Sequence, residues 1–446
     1  MRLKEVAPVK VCTTYSVKIK HYNHIFKDTL AIYRSAVDYL IGVCLDEWEA
    51  MSQLNGSNAI VRYTEILTHA TKSNPNPKYD FDRNFYKFPS YLRRAAIMDA
   101  YGHVSSYKSN LKRYPHPEKC ALPNAGFTFP VMYHKECYMR DTDNPYKARI
   151  KVFVRNTWDW LDIELKKGDV DYILHHCANR KECSPSLVKR GKEYFLSFPF
   201  EEKVSLRNTD VREQIAVAVD LGINSACTCS VMRSSGTILD RRFLNLSKEE
   251  DSLRRTTNRI KKAQRMGAKR TPKLWAAAKG INDRIAVLTA NFIMQIAVQW
   301  NADVIVFEHL DLQGKKSGAS KKLRLHLWKA QYVQSMVTIR AHRHGMRVNH
   351  VNAKWTSQLA YDGSGKVERD KRNYSICKFQ NGKIYNCDLS ASYNIGARYF
   401  VKELIKPLRE TVRFGISAKV PECAKRTTFT LATLINLNAV LAESFC

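Results

Sequence analysis

The chain has 446 residues, which at about 150 residues per domain allows roughly three domains and a packed core. A hydrophobic share of 44% excludes a disordered chain. The 73 Lys+Arg against 42 Asp+Glu leave a net charge of +31, which calls for a polyanionic partner, either nucleic acid or an anionic membrane. The longest uncharged runs, Ile285 to Ala302 and Thr427 to Ala442, fall short of the about 20 apolar residues of a spanning helix and carry Asn and Gln. Nucleic acid is therefore the better match. The opening MRLKEVAPVKVCTT has no apolar leader, and no C-x-x-C pair occurs, so the expected setting is a reducing cytoplasm with free thiols.

In chain order, the alternation Thr14 to Lys20 predicts a strand. From about Asp28 the apolar residues Leu30, Tyr33, Val37, Leu40 and Cys44 fall at helical steps. A second helix is predicted from Tyr91 towards Leu111, with a basic side that includes Arg93, Arg94 and Lys108. Between about 115 and 205 the pattern turns to β. Lys151 to Val154 reads as a strand, and Leu187-Val188 and Tyr194 to Phe198 flank Lys189-Arg190-Gly191-Lys192 as a hairpin. Strand material thus brackets a helical segment, as in one β domain interrupted by a helical one.

The second half opens with three strands joined by tight turns: Ile215 to Asp220, Ala226 to Met232 and Thr237 to Leu244. A long helical region is predicted next. Arg241 to Gly280 carries thirteen Lys/Arg against Glu249, Glu250 and Asp251, a surface suited to phosphates. Ile281, Ile285, Leu288, Phe292 and Ile296 continue as an apolar stripe that predicts a core contact. Asp303 to Glu308 is another apolar strand ending in a carboxylate. A helix, the strand Met346 to Val351, and a helix opening at Asn386-Cys387-Asp388 complete the order.

That order is the order of an RNase H-type fold, in which acids far apart in sequence meet at one end of a mixed sheet. Asp220, Glu308 and Asp388 stand at the corresponding points. Phosphodiester hydrolysis needs an activated water and a stabilised leaving oxygen. Two Mg²⁺ ions, which favour hard oxygen ligands and keep several waters, serve both needs with only a few carboxylates.

These segments also resemble a known family. VAVDLGINSACTCSV, the basic helix after it, VIVFEHLDL and CDLSASYNIGARYF are similar to the three nuclease motifs of TnpB, the transposon-encoded RNA-guided DNA endonuclease related to miniature type V CRISPR effectors. Ser90 to Ile97 and Ser105 to Leu111 resemble its helical recognition region, and Thr356-Ser357-Gln358 the entry to its zinc-binding insert. The likeness covers most of residues 85–400.

The resemblance implies an α+β multidomain chain. A wedge β-barrel (1–26 and 119–205) would carry an inserted helical recognition domain (27–118). A RuvC-like, RNase H-like nuclease domain (206–355 and 388–412) would include a basic helix at 244–280, a degenerate zinc-finger-like insert (356–387) and a C-terminal tail (413–446). Asp220, Glu308 and Asp388 would be the catalytic, Mg²⁺-binding acids. Arg93, Arg94, Lys108, Arg254, Arg255, Arg259, Lys261, Lys262 and Arg265 would contact nucleic acid, with Arg369 and Arg372 as target-strand contacts. The implied partners are a structured guide RNA and double-stranded target DNA, in a prokaryotic, nucleoid-associated setting and with no membrane.

One departure stands out. Ala360-Tyr361-Asp362-Gly363 occupies the place of the family's first cysteine pair, and Cys377 and Cys387 remain with Gln380 where a fourth ligand is expected. Two thiolates do not close a structural zinc site, so the insert is expected to fold without zinc. The guide origin, transposon end or CRISPR repeat, and the oligomeric state stay open at this level. A non-cutting RNA-guided regulator and a protein-only RNase H-fold nuclease or resolvase are the rival functions.

Overall fold

The computed structural model describes residues 8–21, 23–72, 74–114, 117–222, 226–310, 329–370, 373 and 375–444. They form two compact units, one of residues 12–202 and one of residues 203–446 with those before 12.

In the 12–202 unit, β1 (Val9–Lys18) leads to α1 (Ile25–Asp46), α2 (Trp48–Met51), α3 (Ser57–Thr68), α4 (Phe81–Asn84) and α5 (Ser90–Arg113). The predicted stripe Leu30, Tyr33, Val37, Leu40 and Cys44 is the buried face of α1. It packs on α5, where Tyr33 donates a 2.7 Å hydrogen bond to Asp99. Strands β2 (Tyr138–Arg140), β3 (Lys147–Val154) and β4 (Thr157–Glu164) make an antiparallel sheet. After α6 (Lys167–His176) come β5 (Lys181–Glu182), β6 (Ser186–Arg190) and β7 (Glu193–Val204). The β6–β7 hairpin forms as predicted, with Gly191 at a positive φ of 62° in its turn. β1 lies beside β7, so the strand material on either side of the helices does share a sheet. A single core joins the parts, with Phe26, Val37, Leu92 and Ile97 clustered with Ile150, Val152, Leu196 and Phe198.

The second unit is built on a five-stranded sheet of order β10-β9-β8-β11-β12, made of β8 (Ile215–Asp220), β9 (Cys227–Arg233), β10 (Ile238–Leu244), β11 (Val304–His309) and β12 (Arg347–Asn352). The first three run antiparallel as a meander, whereas β11 is parallel to both β8 and β12. Parallel neighbours need crossovers, and helices supply them. Between β10 and β11 lie α7 (Ser247–Arg265) and α8 (Pro272–Gln299); α9 (Ala330–Arg343) precedes β12. The chain then forms a small sheet of β13 (Glu368–Arg369), β14 (Ile376–Lys378) and β15 (Ile384–Asn386), followed by α10 (Cys387–Ile405), α11 (Glu410–Lys419) and α12 (Leu431–Ser444).

Side chains alternate along a strand, and this sheet is covered on both faces. Val217, Val219, Ile305 and Phe307 pack with α8 and α9. Ala216, Ala218, Val304 and Val306 pack with α10 and α12. The uncharged C-terminal stretch is therefore largely a buried helix, α12, laid along α10 through Leu434, Leu437 and Leu441.

Two sequence expectations need correction. The basic region is not one helix over 244–280. Residues up to Leu244 belong to β10, and α7 stops at Arg265. Gly267 follows with a positive φ of 88°, and Pro272 starts α8, where its missing N–H does no harm. The apolar stripe on α8 is also displaced. Ile281, Ile285, Leu288 and Phe292 are only partly buried, and of the five only Ile296 is core. The buried line instead includes Asn282, Ala286, Thr289, Ala290, Ile293 and Ala297, and its three alanines let the helix approach the sheet.

A similar close approach fixes α10. A Cβ on Gly396 would overlap Met232 Sδ and lie 3.1 Å from Ala218 Cβ. Gly396→Ala is expected to destabilise this unit by about 1–3 kcal/mol of overpacking, after the smaller gain in helix propensity. Chemical denaturation measures this, and the same substitution made in a Met232→Ala background should cost less.

Candidate functional site

Parity places the first two acids. Asp220 continues the Ala216, Ala218 series, and Glu308 continues Val304, Val306, so both carboxylates lie on the α10 side at the C-terminal ends of parallel strands. The register pairs Phe307 with Val219, and one step further sets Glu308 beside Asp220. Asp388 comes from the first turn of α10. That helix starts where it does because Asn386 caps it, its side chain accepting from Leu389 N–H at 2.9 Å.

The three carboxylates act on one another. Burial pushes the Asp220 carboxyl well above the usual carboxylate range, and the negative charges of Glu308 and Asp388 push it further. Arg369 opposes the shift at both Asp220 and Asp388. Burial also raises Asp388. Arg369, on β13, is exposed and donates to the Ser357 carbonyl at 3.1 Å, so the small sheet delivers a guanidinium towards the acids. Its companion Arg372 lies outside the described residues.

Glu308 is held by residues that sequence reasoning does not single out for this role. The Thr356 hydroxyl donates to Glu308 Oε1, and Gln334 Nε2 donates to the Glu308 carbonyl at 2.9 Å. Thr356 sits in a turn beside Trp355, whose φ of +67° is unusual for a bulky residue. That turn is clamped by Arg398, which is 3% exposed and donates to the carbonyls of Asn352, Lys354, Thr427 and Phe429. Burial lowers the Arg398 pKa to about 10, while Glu308 acts to raise it. An Arg inside the otherwise apolar run IGARYF is the one sequence signal for this clamp, since a fully buried charge needs partners.

The donor set fits a hard divalent cation in kind. It offers carboxylate oxygens, and the buried hydroxyls of Thr228, Ser230 and Ser390 have no hydrogen-bond partner among the described residues. Thr228 pairs directly with Asp220 across the strands. Yet among the described residues no three His, Cys, Asp or Glu side chains form a metal-binding group.

The insert has a different filling. Ala360, Cys377, Phe379 and Cys387 form a small core with Tyr361 and Tyr385 packed against it. Tyr361 stacks edge-on with Tyr385 and Tyr393, at centroid separations of 5.0 and 5.2 Å. Burial raises both thiols, Cys387 to about 12.

The expected nucleic-acid contacts divide. On α7, Arg254, Arg255, Arg259, Lys261, Lys262 and Arg265 are all exposed. At about 100° per residue they share roughly one half of the helix circumference, and Ile260, the buried residue of α7, lies opposite. In the other unit, Arg94 is half-exposed, pairs with Glu65 at 3.3 Å and lies over the Tyr91 ring, while Lys108 is partly buried. Arg93 is a correction. It is 6% exposed and faces Glu65 and Asp82, each at 3.5 Å, so its charge is spent on an internal ion pair and does not reach a phosphate.

Two solved structures resemble the chain over most of its length. One is a Cas12f1–sgRNA–target DNA complex, at 12% identity and a TM-score of 0.50, covering 83% of this chain and 81% of that one. The other is the mini-RNA-guided endonuclease CRISPR-Cas_phi3, at 10% identity and a TM-score of 0.51, covering 88% and 92%. At such identities the likeness establishes fold alone: this is a mixed α/β multidomain chain whose fold resembles these two structures. The sequence model of the Aq_aa04 family matches residues 13–154, within the first unit. No curated protein matches the chain. Among the described residues no helix is long and apolar enough to cross a membrane.

Proposed function

We propose that this chain is an RNA-guided DNA endonuclease of the TnpB and miniature type V kind, with a RuvC-like nuclease domain in its second half. The observation that carries this reading is the meeting of Asp220, Glu308 and Asp388 at one end of the five-stranded sheet, in a chain of Cas12-like fold. Asp220, Glu308 and Asp388 would hold Mg²⁺, which when bound supplies charge stabilisation and an activated water for phosphodiester hydrolysis.

The chain's own residues do the rest. Thr356 and Gln334 fix the strand end that carries Glu308, and Arg398 fixes the turn that carries Thr356. Arg369 offers a guanidinium to a phosphate that approaches the acids. The exposed side of α7 contacts backbone phosphates without reading bases, and pairing with the guide RNA supplies the sequence specificity. A non-cutting RNA-guided DNA-binding regulator is the rival reading, which the presence of all three acids disfavours.

The deciding experiment expresses the protein with its native flanking DNA, sequences the RNA that copurifies, and offers the complex a matching DNA target with Mg²⁺. One discrete RNA with a constant scaffold and a variable end, together with target cutting, is the expected result, and the scaffold's origin separates transposon from CRISPR. Binding without cutting selects the regulator. Cutting by RNA-free protein overturns the guided reading in favour of an RNase H-fold nuclease.

Replacing Arg255, Arg259 and Lys262 together by Gln is expected to weaken nucleic-acid binding equally for all sequences. It should also flatten the logarithmic salt dependence by about 0.7–0.9 for each phosphate no longer neutralised. Filter binding across a salt series measures both.

A further inference from the structure

The turn that carries Thr356 also holds a tryptophan that the fold does not pack. Trp355 is partly exposed, and among the described residues it joins none of the apolar clusters. Its φ of +67° lies in the left-handed region, where Cβ crowds the carbonyl oxygen and a bulky side chain is an outlier. The other non-glycine residues described there are Lys, Arg and Asn, so Trp355 is the one aromatic. Gly or Asn would take this φ at less cost. The conformation is nevertheless enforced from both sides. Arg398 donates to the Lys354 carbonyl at 2.9 Å, and Asn394 Nδ2 donates to the Thr356 carbonyl at 3.1 Å. A strained, over-determined backbone that displays an unpacked indole points to a use outside the fold.

The indole stands close to the acids. Thr356, the next residue, donates to Glu308 Oε1, so the ring lies within about 12 Å of that carboxylate, a few nucleotides of strand. Lys354 Nζ lies 5.0 Å from the ring centroid and Lys425 Nζ 5.9 Å. Both lysines are exposed, and neither ammonium has an ion-pair partner among the described residues. An aromatic ring flanked by two unpaired cations is the make-up of a single-strand platform, where bases stack and phosphates meet the charges. Magnitudes favour a base over the present arrangement. An ammonium at an exposed ring is worth about 2–5-fold in affinity, and a stacked base about 5–150-fold. A base therefore displaces a lysine from the ring, and the freed ammonium finds a phosphate.

We propose that Trp355 is a stacking platform for a base of the DNA strand that reaches the carboxylate site, with Lys354 and Lys425 on the adjoining phosphates. Stacking is sequence-tolerant because every base has a π-face, which suits a site that must accept any target. Trp355 is thus a substrate-positioning residue. It holds the strand while the acids act, and the Arg398 clamp holds its turn. That the strand is substrate DNA rests on the proposed function, whereas the platform itself is read from the ring, its backbone and its cations.

The test uses the full-length protein with its copurifying RNA and a single-stranded DNA carrying 5-iodouracil, a base that photo-crosslinks to aromatic side chains. EDTA withholds the metal, and mass spectrometry maps the cross-linked peptides. A cross-link at Trp355 is expected, retained in Trp355→Tyr and reduced about tenfold or more in Trp355→Asn. Trp355→Asn should melt no lower than the wild type, because Asn accepts a positive φ, so its lost cross-link is not a lost fold. In Lys354→Gln/Lys425→Gln the cross-link should weaken and depend less steeply on salt. A second arm measures cutting of a matched target with Mg²⁺, where Trp355→Asn should slow cutting about tenfold at unchanged target affinity. A wild-type cross-link at Trp355 without any cutting upholds the platform and overturns the nuclease reading. Cutting with no wild-type cross-link at Trp355 overturns the platform and leaves the nuclease reading standing.

Discussion

Asp220→Ala is expected to abolish target cutting while guide RNA and DNA binding stay intact. Losing an outer partner of a metal ligand typically costs about 10–100-fold, and loss of the ligand itself should cost more. Retained cutting in a gel assay with matched RNA would refute the assignment of Asp220. Asp220→Asn adds a stability signature. Burial and the charges of Glu308 and Asp388 raise the folded pKa of Asp220, so the folded state holds this proton more tightly than the unfolded chain does. Its favourable contribution is complete below the unfolded value of about 3.9 and is lost as pH rises through the folded value. At neutral pH without metal the carboxylate is thus a burden. Asp220→Asn should melt higher than the wild type there, and the difference should shrink as pH falls towards 4. Melts across that range check the sign.

The second large effect is expected at Arg398. Arg398→Leu would leave the carbonyls of Asn352, Lys354, Thr427 and Phe429 without their donor inside the protein. Removing one side of such a buried charged network typically costs about 3–5 kcal/mol. A clear fall of the denaturant midpoint is expected, with partial recovery in Arg398→Lys, which keeps the charge but loses the planar fork. Cutting should fall with it, because the same turn presents Thr356 to Glu308. An unchanged midpoint would show that the four carbonyls find other donors.

These two residues show how unevenly the sequence speaks. Asp220 is legible because an apolar strand that ends in a carboxylate is a local pattern, and the order of strands and helices then suggests where its partners lie. Arg398 does not stand out, although it lies within the same motif as Asp388, because its acceptors come from distant parts of the chain. Arg93 misleads for the same reason. A basic residue on a helix reads as a phosphate contact until Glu65 and Asp82, on α3 and α4, are found against it. On α8 the large apolar residues predict the core, but the buried line runs one position round, through Ala286, Thr289, Ala290, Ile293 and Ala297.

The sequence by itself determined what is written in near neighbours: the net charge, the alternation of the strands, the stripe of α1, and the three acids as separate points. Only the tertiary structure decided what depends on register and packing. It set Glu308 beside Asp220 through the parallel pairing of β11 with β8, and it filled the insert with aromatic rings. The physical reason is range. Backbone preferences and side-chain periodicity act over a few residues, whereas a buried charge takes its partners from wherever the fold brings them.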